Sequence, residues 1–169
     1  DPGLTMLEER TGKPVLGVIP YSHDLGIAQE DSIYIPDGAP QRAEVDIAVL
    51  YLPRISNSTD FEPLQQEAGV QVRYIRRPME LGRPDLIIIP GTKSTMADLA
   101  HLREVGLAEA LLRLAGEGVP VLGICGGFQM LGRSIRDPYR VESQQEEVLA
   151  LGLLPVETIF SRGKTTQQV

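Results

Sequence analysis

The sequence predicts an α/β fold built on a doubly wound, mostly parallel sheet. From Val45 onward, strand-like apolar runs alternate with helical patterns, and the connections between them are short. The run Asp85-Leu-Ile-Ile-Ile89 lies between two prolines and is apolar almost throughout, as in a central parallel strand covered on both faces. A length of 169 residues with 42% hydrophobic and 23% charged residues suits one domain with a substantial core.

Residues 1–20 are predicted to be the tail of a preceding domain. Residues 4–11 carry helical spacing, and Gly12 is suited to end that helix. The segment Pro14-Val-Leu-Gly-Val-Ile19 has the composition of a short buried strand. Residues 21–44 are rich in Asp, Gln, Pro and Gly, and we expect them to form a linker or an extended segment.

Residues 45–169 are predicted to form the α/β domain. The expected elements are a strand at 46–52, a short helix at 61–66, strands at 70–75 and 85–89, a helix beginning near Ser94 or Thr95, a helix at 107–115, a strand at 119–124 and a helix at 128–135. Asp98 follows Thr95 by three residues, which predicts a capping box at the helix start. Gly91 and Cys125 each follow a strand, so both are expected at the edge of the sheet where ligands bind.

The only cysteine of the chain lies in the stretch Gly123-Ile-Cys125-Gly-Gly127-Phe-Gln129, directly after an apolar run. Glycines on both sides allow strained dihedral angles and the close approach of a substrate, which predicts a nucleophile elbow with sulfur in place of oxygen. A cysteine at a helix N-terminus is also favoured as the thiolate. The alternative is a buried structural cysteine, although such a residue has no need of the flanking glycines.

A thiolate that attacks an amide creates a negatively charged oxygen, which backbone N–H groups can stabilise. Gly91, in a Pro-Gly-Thr turn, and Gly126, directly after the cysteine, are the candidate donors of this oxyanion hole. The simpler interpretation of Gly91 is an ordinary strand-ending turn. Gln129 lies one helical turn beyond Cys125 and is a candidate for the same pocket, or else an exposed helical glutamine.

A general base is also needed, and histidine serves best near neutral pH. The chain has two histidines, His23 in the linker and His101 in a helix where nothing local orients it, so the base is expected outside this sequence. Residues 152–160 are predicted to form another strand, and Lys164-Thr-Thr-Gln-Gln-Val169 still alternates like one. The domain is therefore expected to be truncated at its C-terminus.

Composition excludes several classes of function. The net charge of −7 argues against a nucleic-acid partner, and the arginines at 73, 76, 77 and 83 are interleaved with proline and acidic residues as in a solvated loop. No apolar run approaches the roughly 20 residues of a membrane span, so no membrane partner is expected. A lone cysteine fits a reducing cytoplasm. No metal site and no cofactor are predicted for this domain.

The stretch from Gly123 to Gln129 resembles the nucleophile motif of class I glutamine amidotransferases, Gly-x-Cys-x-Gly followed by Gln. Longer stretches are similar to the cobyric acid synthase family of cobalamin biosynthesis. They are Pro14 to Tyr21, Leu52 to Phe61, Asp85 to Ser94, Gly123 to Gly132 with Arg136 to Pro138, Gly152 to Val156 and Lys164 to Thr166. The cysteine motif indicates only the superfamily, whereas Leu-Pro-Arg-Ile-Ser-Asn and Pro-Gly-Thr-Lys point to this member.

The resemblance implies an enzyme with an N-terminal synthetase domain that uses ATP and Mg and a C-terminal glutaminase domain that hydrolyses glutamine. Ammonia would pass to carboxylates of adenosylcobyrinic acid a,c-diamide, a corrinoid bound in the other domain. In this family Cys125 would be the nucleophile, Gly91 and Gly126 the oxyanion region, and Gln129 a contact to glutamine. The catalytic histidine of the family would lie beyond Val169.

The sequence contains no Gly-x-x-x-x-Gly-Lys-Ser/Thr loop, so the ATP-binding domain is expected outside it, apart from a last strand near residues 14–19. The isolated chain is then expected to have little or no activity. Other members remain open, namely an a,c-diamide synthase or a peptidoglycan-amidating relative. So do a non-catalytic α/β interaction module with an idle cysteine, and a cysteine hydrolase or isomerase activated by Glu142 or Glu157.

Overall fold

A parallel sheet of four strands forms the centre of the structure, a computed structural model that describes residues 2–18 and 43–163. The strands are β1 (Val45–Leu50), β2 (Val70–Ile75), β3 (Leu86–Ile89) and β4 (Val121–Gly123), in the spatial order β2-β1-β3-β4. All three pairings are parallel. The order reverses at β1, as in flavodoxin-like sheets, so the predicted doubly wound α/β class is confirmed.

Helices precede, connect and follow these four strands, and a smaller sheet comes after the last helix. The helices are α1 (Pro2–Thr11), α2 (Glu62–Gln65) after a 3-10 turn (Ser58–Phe61), α3 (Pro78–Leu81), α4 (Thr95–Glu104), α5 (Leu107–Gly116) and α6 (Gly126–Leu131). The smaller sheet contains β5 (Ser134–Arg136), β6 (Glu147–Leu149) and β7 (Glu157–Ile159) in the order β6-β5-β7. In the described part of the chain, no helix has the length and apolar character needed to cross a bilayer.

The core is centred on β3, which lies between β1 and β4. Ile87, Ile88 and Ile89 are at most 1% exposed, which confirms the predicted central strand. Helix α5 packs against α3 and α4 and contributes four buried residues to the core, Leu107, Ala108, Leu111 and Leu114. Because these residues recur at helical spacing, α5 was predictable to within one residue at its end.

A predicted strand and a predicted capping box are absent from the structure. Residues 14–18 form no strand, and Leu16 and Val18 are 95% and 66% exposed. A strand requires a hydrogen-bonded neighbour, and the described residues supply none for this segment. The predicted capping box of Thr95 and Asp98 is also absent, because the Asp98 carboxylate binds elsewhere, as described below. The predictions for Ile19, for residues 21–42 of the linker and for residues 164–169 lie outside the described residues.

Helix α6 ends at Leu131 rather than at Ile135, and residues 134–136 form β5 instead. The chain turns at Gly132, where an added Cβ would lie only 2.7 Å from the carbonyl oxygen of Val156. A side chain does not fit there, so the segment before β7 packs directly against the end of the helix. Of the predicted strand at 152–160, only residues 157–159 are in a strand.

Arg73 lies in β2 and is only about a quarter exposed, so its assignment to a solvated loop is wrong. Its Nε and Nη2 atoms donate to the two carboxylate oxygens of Asp46 in β1 at 2.8 and 2.7 Å. The guanidinium group also donates to the carbonyl oxygens of Glu80 and Leu81 in α3. The hydrogen bond to Asp46 raises the pKa of Arg73. Through these bonds Arg73 links β1, β2 and α3.

We predict that Arg73→Ala lowers the free energy of unfolding by about 1–3 kcal/mol, because it leaves Asp46 and two carbonyl groups without their charged donor. Chemical denaturation measures this change. The control is Arg113→Ala, which removes an exposed ion pair with Glu117 within one helix and is expected to cost at most about 0.5 kcal/mol. Equal losses in the two variants would contradict the role given to Arg73.

Candidate functional site

Cys125 occupies a sharp turn between β4 and α6, with φ of 49° and ψ of −109°. This left-handed region is disfavoured for residues with a side chain and costs about 1–3 kcal/mol. Among the described residues only Arg140 shares a positive φ without being glycine. The thiol is exposed, so the alternative of a buried structural cysteine is wrong. The turn has the backbone geometry expected of a nucleophile elbow.

Glycines make this elbow, residues Gly123–Gly127, sterically possible. A Cβ on Gly127 would collide with the backbone carbonyl of Ile89 at the end of β3. A Cβ on Gly123 would lie 2.7 Å from backbone atoms of Gly127 and Phe128. The backbone of the elbow therefore packs directly against the backbone at the end of β3. The amide of Ile124 also donates to the Ile89 carbonyl at 3.0 Å.

The Gly91 turn, residues Pro90–Thr92, lies directly beside the elbow. A Cβ on Gly91 would lie 3.8 Å from the Cβ of Cys125, and a Cβ on Gly126 would lie 2.6 Å from the Cγ2 methyl of Thr92. Within the described residues, the amides of Gly91 and Gly126 donate to no backbone carbonyl. The structure thus places the Gly91 turn and Gly126 next to one another and next to Cys125.

Gln129 is half-buried rather than exposed, and it connects two helices. Its backbone amide donates to the carbonyl of Cys125 at 3.1 Å, so it lies one helical turn beyond the nucleophile candidate. Its Oε1 atom accepts a hydrogen bond from the hydroxyl of Thr95 at 3.0 Å. Thr95 is the first residue of α4, and the amide group of Gln129 is therefore held next to the elbow.

The loop after β1, residues Pro53–Asn57, binds the Gly91 turn from its other side. The amide of Ser56 donates to the carbonyl of Gly91 at 3.0 Å, and the amide of Lys93 donates to the carbonyl of Arg54 at 2.9 Å. Ile55 and Thr92 form an isolated antiparallel bridge. Sequence reasoning missed this pairing, because a single bridge between two loops leaves no periodic pattern in the sequence.

Asp98 is fully buried and joins the same two loops. Its carboxylate accepts from Nη1 of Arg54 at 3.0 Å, from the backbone amide of Arg54 at 3.3 Å and from the hydroxyl of Thr92 at 2.5 Å. Its own amide donates to the carbonyl of Ser94, the N-cap residue, whose side chain makes no capping bond. A carboxylate this deeply buried is tolerated because a guanidinium group neutralises it.

Glu142 and Glu157 have no contact with Cys125 in the described part of the chain. Glu142 accepts a hydrogen bond from the amide of Met96 at 2.8 Å, and it therefore caps α4 in place of the predicted capping box. Glu157 is exposed on β7. Neither position supports activation of the cysteine by these carboxylates.

Asp137 holds the loop that presents Glu142. It is fully buried, and its carboxylate accepts from the amides of Val141, Glu142 and Ser143 at 2.7–2.8 Å. Burial raises the pKa of Asp137, but the three N–H donors lower it by more, so this pKa lies below its ordinary value. No sequence signal marks this role, because the three donors are backbone groups.

His101 lies far along α4 from the site. Thr95 at the start of the helix contacts Gln129, whereas His101 follows six residues later, about 9 Å along the helix axis at 1.5 Å per residue. His23 lies outside the described residues. Within residues 2–18 and 43–163, no group of three or more His, Cys, Asp or Glu side chains is arranged to hold a metal ion.

Comparisons with known proteins agree with this geometry. Residues 46–169 match the family described as the CobB/CobQ-like glutamine amidotransferase domain. The chain is 57% identical to the cobyric acid synthase of Sorangium cellulosum and 52% identical to that of Moorella thermoacetica, over 100% and 99% of its length. It covers 33% of each of these proteins, so it spans about a third of the length of the curated relatives it matches.

Two solved structures share the fold. One is a glutamine amidotransferase, with a TM-score of 0.50 and 24% identity over 64% of this chain and 52% of that one. The other is described as a Peptidase E protein from Listeria monocytogenes, with a TM-score of 0.54 and 13% identity over 69% of this chain and 66% of that one. At these identities the likeness concerns the fold alone.

We predict that Gly127→Ala lowers the free energy of unfolding by at least about 2 kcal/mol, because the new methyl group collides with the backbone of β3. The matched control is Gly116→Ala at the end of α5, where a Cβ meets nothing within 4 Å. We expect the control to be unchanged or stabilised by up to about 1 kcal/mol. Chemical denaturation compares the two variants, and a neutral Gly127→Ala would refute the close backbone contact.

Asp137→Asn is expected to lower the melting temperature at pH 7, since an amide has one acceptor oxygen for three N–H donors. The carboxylate has a lower pKa in the folded state than its value of about 3.9 in an unfolded chain. Its stabilisation is therefore full above about pH 4 and is lost as the pH falls through the folded-state pKa. Melting curves from pH 7 to pH 2 measure this, and a difference between the proteins that does not shrink in acid would contradict the assignment.

Proposed function

Because the chain belongs to the CobB/CobQ-like glutamine amidotransferase family, we propose that Cys125 is the nucleophile that releases ammonia from glutamine. One observation carries the proposal. The only thiol of the chain is exposed on a strained turn, with the Gly91 turn packed beside it. Strain of this kind persists only where the surrounding structure imposes it, and it is concentrated at functional sites. A non-catalytic interaction module would have no use for this arrangement.

In the first half of the reaction, the thiolate of Cys125 attacks the carboxamide carbon of glutamine. A carbon–sulfur bond forms, and the electron pair of the carbonyl bond moves to oxygen. The amides of Gly91 and Gly126 donate to this oxygen, and loss of one such donor costs about 3–4 kcal/mol of barrier. The proton taken from the thiol passes through the general base to nitrogen. The electron pair on oxygen then re-forms the carbonyl bond, the carbon–nitrogen bond breaks, ammonia departs, and a thioester remains on Cys125.

In the second half, water attacks the thioester carbon while the base accepts its proton. The carbon–sulfur bond breaks, glutamate leaves, and the thiolate is regenerated. Gln129, held by Thr95 beside the elbow, contacts the bound glutamine in this proposal. We assign the base to a histidine beyond Val169, following the class I amidotransferase resemblance, because His101 lies about 9 Å along α4 from the end that meets the site.

For the whole protein we propose the activity of a cobyric acid synthase. Identities of 52% and 57% along nearly all of the chain favour this member over an a,c-diamide synthase or a peptidoglycan-amidating relative. The remaining two thirds of such a protein would hold a synthetase domain that binds ATP, Mg and the corrinoid. Ammonia would there amidate carboxylates of cobyrinic acid a,c-diamide that ATP has activated, in the cytoplasm. Residues 1–20 would be the tail of that synthetase domain, and residues 21–44 would be the linker to the glutaminase domain.

We predict that Cys125→Ser in the full-length polypeptide lowers glutamine-dependent ammonia release at least about a thousandfold, because the serine hydroxyl is a far weaker nucleophile. Amidation driven by added ammonium should persist, since it does not need the glutaminase site. Ammonia production and corrinoid amidation are the two measurements. Undiminished ammonia release in the variant would exclude Cys125 as the nucleophile.

Labelling of Cys125 provides an independent test. A glutamine-shaped electrophile should modify the thiol of the full-length polypeptide, and an excess of glutamine should protect it, as scored by mass spectrometry. A small unselective thiol reagent serves as the control, because it reports exposure of the thiol alone. Modification by the unselective reagent only, with no protection by glutamine, would show that the thiol has no glutamine pocket beside it.

A further inference from the structure

Thr92 packs against the elbow with its methyl group and binds Asp98 with its hydroxyl group. Its Cγ2 methyl faces Gly126, where an added Cβ would lie only 2.6 Å away, so the elbow packs directly on this methyl group. Its hydroxyl lies on the other side, 2.5 Å from Oδ2 of Asp98 and 3.1 Å from the carbonyl of Arg54. The single hydroxyl proton goes to the carboxylate, since that acceptor is charged and nearer. The hydroxyl oxygen of Thr92 also accepts a hydrogen bond from the backbone amide of Ser94 at 3.0 Å.

Asp98 can hold Thr92 in place because the position of the Asp98 carboxylate is itself tightly constrained. It is fully buried and lies in the first turn of α4, between the Gly91 turn and the loop after β1. Its Oδ1 atom binds the guanidinium group of Arg54. Its Oδ2 atom, which accepts from the Thr92 hydroxyl, also accepts from the Arg54 amide. The carboxylate thus fixes Thr92 relative to the Arg54 backbone, which itself pairs with Lys93.

We propose that Asp98 is a positioning residue for the oxyanion hole and acts through the hydroxyl of Thr92. This inference rests on the proposed function. Asp98 touches neither Cys125 nor the reacting atoms. It sets where Thr92 lies, and Thr92 in turn sets the spacing between the amides of Gly91 and Gly126. The fully buried charge has this role in addition to any stabilisation, because the groups it binds belong to the two loops that meet at the site.

The expected kinetic signature follows from the step at which the amides act. They bind the oxygen most strongly when it carries the negative charge, so a displaced donor lowers kcat and leaves KM for glutamine nearly unchanged. A misplacement of about 1 Å is enough for a loss of about a hundredfold. A purely structural carboxylate would instead lower the folded fraction and leave the kcat of the folded enzyme as it was.

The experiment uses the full-length polypeptide with Asp98→Asn and Thr92→Val. The first keeps shape but removes charge, and the second replaces the hydroxyl with a methyl group and keeps the contact with Gly126. We expect glutamine-dependent kcat to fall about 10–100-fold in both, with KM within about threefold.

Asp85→Asn is the matched control, because Asp85 also accepts a backbone N–H bond but lies at the amino end of β3, away from the site. Its kcat should equal that of the parent protein. Unfolding curves establish that each variant is folded, and Thr92→Val carries the test alone if Asp98→Asn does not fold. Unchanged kcat in folded Thr92→Val, or a rise confined to KM, would overturn the proposal. So would an equal loss of kcat in Asp85→Asn.

The two proposals fail in different ways. If Cys125→Ser abolishes ammonia release while Thr92→Val and Asp98→Asn keep full kcat, Cys125 remains the nucleophile and the positioning role of Asp98 is refuted. If Cys125→Ser retains ammonia release, the proposed function fails, and the positioning role fails with it.

Discussion

The contact of the Gly127 backbone with the carbonyl of Ile89 is the constraint on which the rest of the site depends. It leaves no room for a side chain, so α6 begins directly against the end of the central strand. The chain then has to turn within Ile124 and Cys125, and this short path forces Cys125 to a positive φ. The core around β3 offsets the strain, because Ile87, Ile88 and Ile89 are almost completely buried there.

Buried carboxylates, rather than helix caps of the usual kind, organise the loops around this contact. Asp98 joins the Gly91 turn to the loop after β1, and Asp137 folds the loop from which Glu142 reaches the start of α4. A buried charge is costly unless its oxygens are occupied by donors, and both carboxylates meet this condition with two or more bonds. They therefore fix loop positions more rigidly than exposed side chains would, since few other arrangements satisfy them.

The sequence predicted those features that depend on neighbouring residues. The apolar run at 85–89 predicted β3, and the glycines around Cys125 predicted the elbow, because each follows from backbone sterics or burial of a short segment. Predictions that depended on distant partners were wrong. The strand predicted over residues 14–18 needed a neighbour, and the capping box of Asp98 assumed a local partner where Arg54, 44 residues earlier, competes for the carboxylate. The same limit applies to the small sheet, whose strands have three residues each.

The stretch Leu52 to Phe61 carried the family resemblance although none of its residues was predicted to act in catalysis, and the structure gives it a physical role. Its ends are anchored in the core, where Leu52 and Phe61 are at most 2% exposed, and Phe61 packs edge-on against Tyr74. Between these anchors the backbone pairs with the Gly91 turn, and Arg54 neutralises Asp98. Such a segment constrains the site through its backbone path, and a change in its length would displace the turn that carries Gly91. Its sequence is therefore diagnostic because it positions the site, even though it supplies none of the reacting groups.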